Sequence, residues 1–364
     1  MHVVKPSFHR IKAATPLPSV AQLSVRVPLT AETAQLVGKC RTEVSDILTG
    51  RDDRLLLITG PCSVDHPEAA VEYATRLSRL AAHHCDELLI LMRVYVEKPR
   101  TRLGWKGLAM DPKIDSTHDI NDGLLTSRRV MLRVLETGVP IATEFLDPIL
   151  AWYLADLVSW GAVGARTAQS QTHRQLVSAL GMPIGIKNPT SGRIEDIVDA
   201  VAAASAPHVF PALAADGGVI AMSSLGNTDA HVVLRGSDLG PNYAPEDVAQ
   251  VSRQLSASEL NSRLIIDASH GNCGKCHLQQ TAVAIELTER IARGENKIAG
   301  VMLESYLEEG RQDIGAYGTP DHIFGQSITD ACISWDATIE LLDAFAAAVI
   351  ERRNTSGNLI SVVN

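Results

Sequence analysis

The chain has 364 residues, 45% of them hydrophobic, and a formal net charge of −9. No apolar run approaches the roughly 18 residues a membrane span needs, and the opening MHVVKPSFHRIKAATPLPSV lacks the apolar centre of a secretory signal. The acidic balance argues against a general nucleic-acid or anionic-membrane binder, and six dispersed cysteines fit a reducing cytoplasm better than a disulfide scaffold.

In chain order, residues 1–50 read as a proline-containing arm followed by one amphipathic helix over Ala31 to Leu48, an extension that must dock on something. Residues 51–364 then show eight short apolar runs, each ending in a reactive or charged residue. The runs are LLLITG to Cys62, LLILM to Arg93, PIAT to Glu144, AVGA to Arg166, PIGI to Lys187, HVVL to Arg235, RLIIDAS to His270 and AGVML to Glu304. Helical periodicity fills the intervals, over Pro67 to Ala82, Gly123 to Glu136, Pro148 to Trp160, Thr172 to Leu180, Arg193 to Ala203, Pro245 to Leu255, Leu278 to Ile291 and Asp336 to Ile350. Strand, polar end and helix repeated eight times predict an α/β (β/α)8 TIM barrel with its site at the C-terminal face, and one barrel of roughly 250 residues plus an extension suits the length. Two spacings between run ends, 51 and 48 residues, exceed the others. They place a loop at Val96 to Asn121 and a β-hairpin before the sixth barrel strand, within 207–227, turning at Asp216-Gly217-Gly218.

Cys62, His270 and Glu304 end the first, seventh and eighth runs, which are neighbours in a closed barrel, and Asp330 in the following loop can reach the same place. Such a sulfur, nitrogen and carboxylate set suits Mn²⁺, Fe²⁺, Co²⁺ or Zn²⁺ better than Mg²⁺ or Ca²⁺. Taken singly, each is more often a small core residue or a turn residue; their joint placement favours a metal centre. Arg93, Arg166, Lys187 and Arg235 end four further runs, with Lys98 and Arg100 close behind Arg93. The carboxylates Glu97, Glu144 and Asp267 can absorb only some of these six cations, so the mouth calls for small anionic substrates. The spacing of Lys98 and Arg100 from Arg93 suggests one deep anion subsite and one at the rim.

The segments GPCS (60–63), MRVYVEKPRT (92–101), GWKG (104–107), INDGL (120–124), GARTAQSQTHR (164–174), HVVLRG (231–236), DASHGN (267–272), GVMLES (300–305) and SITDACISW (327–335) resemble class I 3-deoxy-D-arabino-heptulosonate 7-phosphate (DAHP) synthase. The resemblance runs in order from about Ile11 to Arg353. It implies a transferase that condenses phosphoenolpyruvate with erythrose 4-phosphate at the entry to aromatic biosynthesis. It implies a divalent metal, Mn, Co, Fe or Zn with Mn favoured, on Cys62, His270, Glu304 and Asp330. It places the phosphoenolpyruvate phosphate on Arg166, Arg235 and the Ala165 N–H, and the carboxylate on Arg93, Lys98 and Lys187 with Glu144 nearby. Erythrose 4-phosphate would rest its phosphate on Arg100 and Thr101 and its aldehyde near the metal and Asp330. Lys98, Cys62 and His270 are the expected catalytic group, with Lys98 or a water protonating the new alkoxide.

Some positions depart from the family pattern. Lys187-Asn188 is followed by Pro-Thr-Ser-Gly rather than Gly-Thr-Asp-Gly, and Pro189 stiffens that rim. Gly181 and Ala212 stand where small polar residues able to hold an aromatic amino acid effector are expected, so feedback by Phe, Tyr or Trp is predicted to be weakened or altered. Cys273-Gly-Lys-Cys276 reads as a redox pair, half a zinc site or two incidental loop thiols, and its nearness to Cys62 suggests sensitivity to oxidation. Arm and hairpin predict a homodimer or homotetramer. The alternatives are a homologue that uses another aldose phosphate or an amino analogue, and a catalytically silent regulatory homologue; the intact set of ligands and cations disfavours silence.

Overall fold

The computed structural model describes residues 10–100, 102–316 and 321–362. Among these residues ten strands form: β1 (Leu55–Gly60), β2 (Leu88–Arg93), β3 (Ile141–Glu144), β4 (Trp160–Val163), β5 (Ile184–Lys187), β6 (Val209–Leu213), β7 (Val219–Ser223), β8 (Ala230–Leu234), β9 (Leu264–Asp267) and β10 (Ile298–Glu304). All but β6 and β7 are parallel and close into one eight-stranded barrel, in which β1 pairs with both β2 and β10. Every residue of these eight strands is buried. One face meets the barrel interior and the other the surrounding helices, so the strands read as continuous apolar runs instead of alternating ones. The two-residue period still sorts them: Leu56, Ile58, Leu89 and Leu91 face inward with Trp160, Val233, Ile265 and Met302, whereas Leu55, Leu57, Leu88 and Ile90 join the outer core.

Among the described residues, ten α-helices accompany them: α1 (Val20–Arg26), α2 (Ala31–Thr49), α3 (Pro67–His83), α4 (Ile120–Glu136), α5 (Ala151–Leu154), α6 (Gln171–Ala179), α7 (Ile194–Ser205), α8 (Pro245–Ala257), α9 (His277–Ala292) and α10 (Trp335–Val362). The amphipathic stretch of the extension is α2, held by a Thr30–Thr33 capping box and stopped at Gly50, whose φ of 76° needs no Cβ. Its docking partner is the barrel floor. Cys40, Val44, Ile47 and Leu48, one stripe of the helix, pack into the interior cluster beneath the strands. Full burial of a side chain of this size stabilises by roughly 1.5–3 kcal/mol, so the plug is part of the core.

Three elements differ from the sequence reading, among them α10, which runs to Val362 where Ile350 was the expected end. Helix α1 was not expected, although Ser19 and Gln22 carry a reciprocal capping box. The helix expected over Pro148 to Trp160 shrinks to α5 and a 3-10 turn over Ala155–Leu157, because β4 already begins at Trp160. Arginines from other elements take the carbonyls there: Arg41 donates to Ala155 O (2.7 Å) and Val158 O (2.9 Å), and Arg128 to Tyr153 O (3.0 Å). The hairpin β6–β7 stands outside the barrel as expected, with Val209 and Val219 exposed. The α1 backbone is tied to its tip by Ala21 N–H donating to Ala215 O (2.8 Å). Among the described residues, no helix is long and apolar enough to cross a membrane.

Candidate active site

Barrel closure sets β9, β10 and β1 side by side, so the residues just beyond their C-terminal ends converge. Donor atoms of Cys62, Glu304 and Asp330 lie within 4.8 Å of one another. His270 completes the group at slightly longer range, with Nε2 3.8 Å from Glu304 Oε1. Its other ring nitrogen, Nδ1, sits 3.0 Å from Asp267 Oδ2 and 2.7 Å from Ser269 Oγ, which aims Nε2 at the cluster. His270 has a φ of 57°, held by Lys275 N–H on its carbonyl (2.8 Å). Glu304 is clamped through its backbone: Gln280 Nε2 donates to its carbonyl (2.9 Å) and Gln280 Oε1 accepts its N–H (2.8 Å). One thiol, one imidazole and two carboxylates, with Cys62 and Glu304 buried and His270 and Asp330 half-buried, are a donor set that fits a divalent transition metal.

Lys98 enters this group from the loop after β2, its Nζ 2.6 Å from Cys62 Sγ and 3.4 Å from Asp330 Oδ2. Burial and the nearby Glu304 push the Cys62 thiol up to about 12 against the pull of Lys98, so a metal must displace its proton on binding. Burial alone disfavours the Lys98 ammonium, but Cys62, Glu304 and Asp330 outweigh it and keep the side chain charged. Burial likewise raises Asp330, and Lys98 and His270 overcome it to hold the carboxylate low.

The cations form a second tier around β2, β5 and β8. Arg93 is fully buried; Nη2 donates to Glu304 Oε1 (3.0 Å) and the guanidinium stands 4.1 Å from the Tyr95 ring centroid. Arg93 Nη1 has no hydrogen-bond partner among the described residues. An unspent buried guanidinium donor is costly unless a ligand supplies the acceptor. Lys187 Nζ meets Asp267 Oδ2 at 2.9 Å. Burial pushes Asp267 up, yet Lys187, His270 and Arg93 reverse this and hold it well below the usual carboxylate range. Arg235 is buried, its N–H donating to Asn188 Oδ1 (2.8 Å), while Asn188 Nδ2 donates to Gly236 O (2.9 Å). Asn188 thereby ties the rim after β5, where Pro189 stands, to the rim after β8.

Arg166 and Arg100 are exposed and Ala165 is half-buried, whereas Arg93, Lys98, Lys187 and Arg235 are buried. Thr101 lies outside the described residues. Glu144 is buried, and a Cβ on Gly164 would collide with its Oε1, so glycine there keeps room for the carboxylate. Of the three carboxylates expected to absorb cations, Asp267 takes Lys187, whereas Glu97 does not pair with one: its oxygens accept the N–H groups of Leu146 (3.3 Å) and Asp147 (3.2 Å). Burial, with Asp147 and Glu144 adding like charge, pushes it up to about 8. Arg93 instead takes Glu304 as its acid. The sequence reading also missed Asn188, Tyr95 and Gln280. Asn188 and Tyr95 adjoin flagged residues, whereas nothing in the pattern of α9 marks Gln280. Gly181 lines a separate cavity of about 370 Å³ with Arg41, Asn227 and Asp229, and Ala212 does not line it.

Residues 27–343 match the DAHP synthetase I family. The chain is 46% identical over 352 residues to a phospho-2-dehydro-3-deoxyheptonate aldolase of Corynebacterium glutamicum, covering 95% of each chain. It is 48% identical over 337 residues to the Phe-sensitive phospho-2-dehydro-3-deoxyheptonate aldolase of Escherichia coli K12, covering 93% of this chain and 95% of that one. Among solved structures, the phospho-2-dehydro-3-deoxyheptonate aldolase of Francisella tularensis aligns with a TM-score of 0.91 at 41% identity, covering 94% of this chain and 99% of that chain.

Proposed function

The chain belongs to the DAHP synthetase I family and is a transferase, and from that premise we propose that it condenses phosphoenolpyruvate with D-erythrose 4-phosphate to give DAHP and inorganic phosphate in aromatic biosynthesis. The observation that carries this reading is the buried Arg93, with a donor unspent, standing against the Cys62, Glu304 and Asp330 cluster. An anion-binding donor and a transition-metal donor set thus share one carboxylate, Glu304.

In this reading Cys62, His270, Glu304 and Asp330 hold the divalent ion, for which Mn²⁺ is favoured. When bound, the ion supplies Lewis-acid polarisation of the aldehyde. The phosphoenolpyruvate carboxylate lies on Arg93, Lys98 and Lys187, and its phosphate on Arg235, Arg166 and the Ala165 N–H, with Glu144 beside it. Arg100 and Thr101 receive the phosphate of the second substrate, whose aldehyde lies beside Asp330. Two anions that repel in water are thereby held together and neutralised at once. C3 of phosphoenolpyruvate forms the new carbon–carbon bond to the aldehyde carbon. Lys98, kept charged by its acidic neighbours, donates a proton to the developing alkoxide. Water adds at C2, and collapse of the hemiketal breaks the C–O bond and releases phosphate.

The protein acts in the cytoplasm. Its arm and hairpin, with Val25 of α1 and Val209 and Val219 of the hairpin exposed, form the surface for a homodimer or homotetramer. A relative named for Phe sensitivity makes an aromatic amino acid the expected effector class, and Gly181 weakens feedback here because it brings no polar side chain to its cavity. Phosphate release with phosphoenolpyruvate and erythrose 4-phosphate, against ribose 5-phosphate and arabinose 5-phosphate, tests substrate choice. Preference for a five-carbon partner would shift the reading to a specialised condensation. Inhibition by Phe, Tyr or Trp at micromolar concentration would refute weakened feedback.

A further inference from the structure

The metal-site reading does not use the Cys273-Gly-Lys-Cys276 segment, yet it lies directly behind His270. Cys276 N–H donates to Cys273 O (3.0 Å), and the two residues between have φ of 58° and 61°, the sign pattern of a type I′ turn. A hydrogen-bonded turn keeps its first and fourth Cα atoms within about 7 Å, the limit of what a disulfide spans. The thiols differ in access. Cys276 is exposed at the N-cap of α9 and makes no capping bond there, whereas Cys273 is 7% exposed with Sγ 3.7 Å from His270 O. Lys275 of the same turn donates its N–H to that carbonyl, and Cys273 lines a narrow cleft with His270, Glu304 and Asp330.

We propose that Cys273 and Cys276 are a thiol–disulfide exchange site for a low-molecular-weight disulfide, and that closing it moves His270 and weakens metal binding. Cys276, as thiolate, attacks one sulfur of the small disulfide, forming a mixed disulfide and releasing one small thiolate. Cys273, losing its proton to solvent, then attacks Cys276 Sγ and expels the second small thiolate. One sulfur–sulfur bond is exchanged for another, and the two electrons leave on the two released thiols. Closing the link takes Cys273 Sγ, now 3.7 Å from His270 O, into a bond with the exposed Cys276 Sγ. The same turn carries the Lys275 N–H that holds His270 in its left-handed conformation.

The inference rests on the metal-site reading of His270, and the test separates the two. Reduced, metal-free protein is treated with glutathione disulfide, digested without reductant and mapped by mass spectrometry. Co²⁺ affinity is read from absorbance before and after treatment. The expected result is an internal Cys273–Cys276 link and Co²⁺ binding weakened about tenfold, the scale on which a ligand's supporting contacts act. A reductant restores binding, and Cys276→Ser binds Co²⁺ normally and ignores the oxidant. A glutathione adduct that persists on Cys276, a link that uses Cys62 instead, or a closed link with unchanged Co²⁺ affinity would each overturn it. Reduced protein that binds no Co²⁺ would instead overturn the metal-site reading.

Discussion

Asp267→Asn removes one charge at a position of zero exposure without changing side-chain size. The carboxylate faces Lys187 Nζ at 2.9 Å and His270 Nδ1 at 3.0 Å, and the Lys187 side chain is only 4% exposed. At an effective dielectric near 20, a charge pair at this distance is worth about 6 kcal/mol, most of it offset by desolvation already spent on both ions. Removing one partner leaves the ammonium buried and uncompensated, a change that costs about 3–5 kcal/mol. The asparagine oxygen can still accept the Ser269 N–H, so the loss reports charge more than a missing hydrogen bond. Urea unfolding at pH 7, followed by circular dichroism, should show that loss. The double variant with Lys187→Met should lose less than the sum of the singles by at least about 1 kcal/mol. Because Asp267 is held well below its ordinary range, the contribution is present above the unfolded aspartate value and disappears as pH falls through the folded one. The gap between wild type and variant should therefore narrow in strong acid. A single-variant loss under about 1 kcal/mol, or strict additivity, would refute the reasoning.

Glu97, raised to about 8 by burial, should be protonated at neutral pH, and its carboxyl carbon signal should titrate near that value. Its stabilising contribution is complete below the unfolded glutamate value and is lost as pH rises through about 8; titration in the ordinary carboxylate range would contradict the burial argument. Gly164→Ala brings a Cβ against Glu144 Oε1, the tip of a side chain that can turn aside, so it should cost under about 1 kcal/mol by thermal unfolding, and a larger loss that Glu144→Ala does not relieve would contradict this. Gln280→Leu strips both backbone partners from Glu304 and should lower stability by about 1–3 kcal/mol and weaken Co²⁺ binding; unchanged Co²⁺ affinity would show that Gln280 does not position Glu304.

The barrel was legible because its strands are buried on both faces, so each announces itself as an uninterrupted apolar run such as LLLITG or LLILM. The polar residue that ends each run marks the C-terminal face, and closure of β1 against β10 brings the two ends of the order together. Lengths were less legible. The helix expected from Pro148 ends early because β4 begins at Trp160, and Arg41 and Arg128 take its carbonyls from other elements, a long-range arrangement with no local signature. The floor role of α2 was hidden for the same reason: periodicity reveals an apolar stripe but not the surface it covers. In the site, residue types picked out Cys62, Glu304 and Asp330, which the fold brings together, with His270 beside them and the cations around them. They did not reveal that Glu97 accepts backbone N–H groups while Arg93 takes Glu304, since pairing depends on which loops fold over one another. Asn188 and Gln280 act through backbone groups of other elements, and neither side chain looks unusual in sequence.

The most direct test is phosphate release from phosphoenolpyruvate and erythrose 4-phosphate by metal-stripped protein, with and without added Mn²⁺ or Co²⁺, for wild type and Cys62→Ala. The account predicts turnover that appears only with metal and only in wild type, together with a seven-carbon phosphorylated product by mass spectrometry. Full turnover by the stripped protein, or metal-dependent turnover by Cys62→Ala equal to wild type, would contradict it.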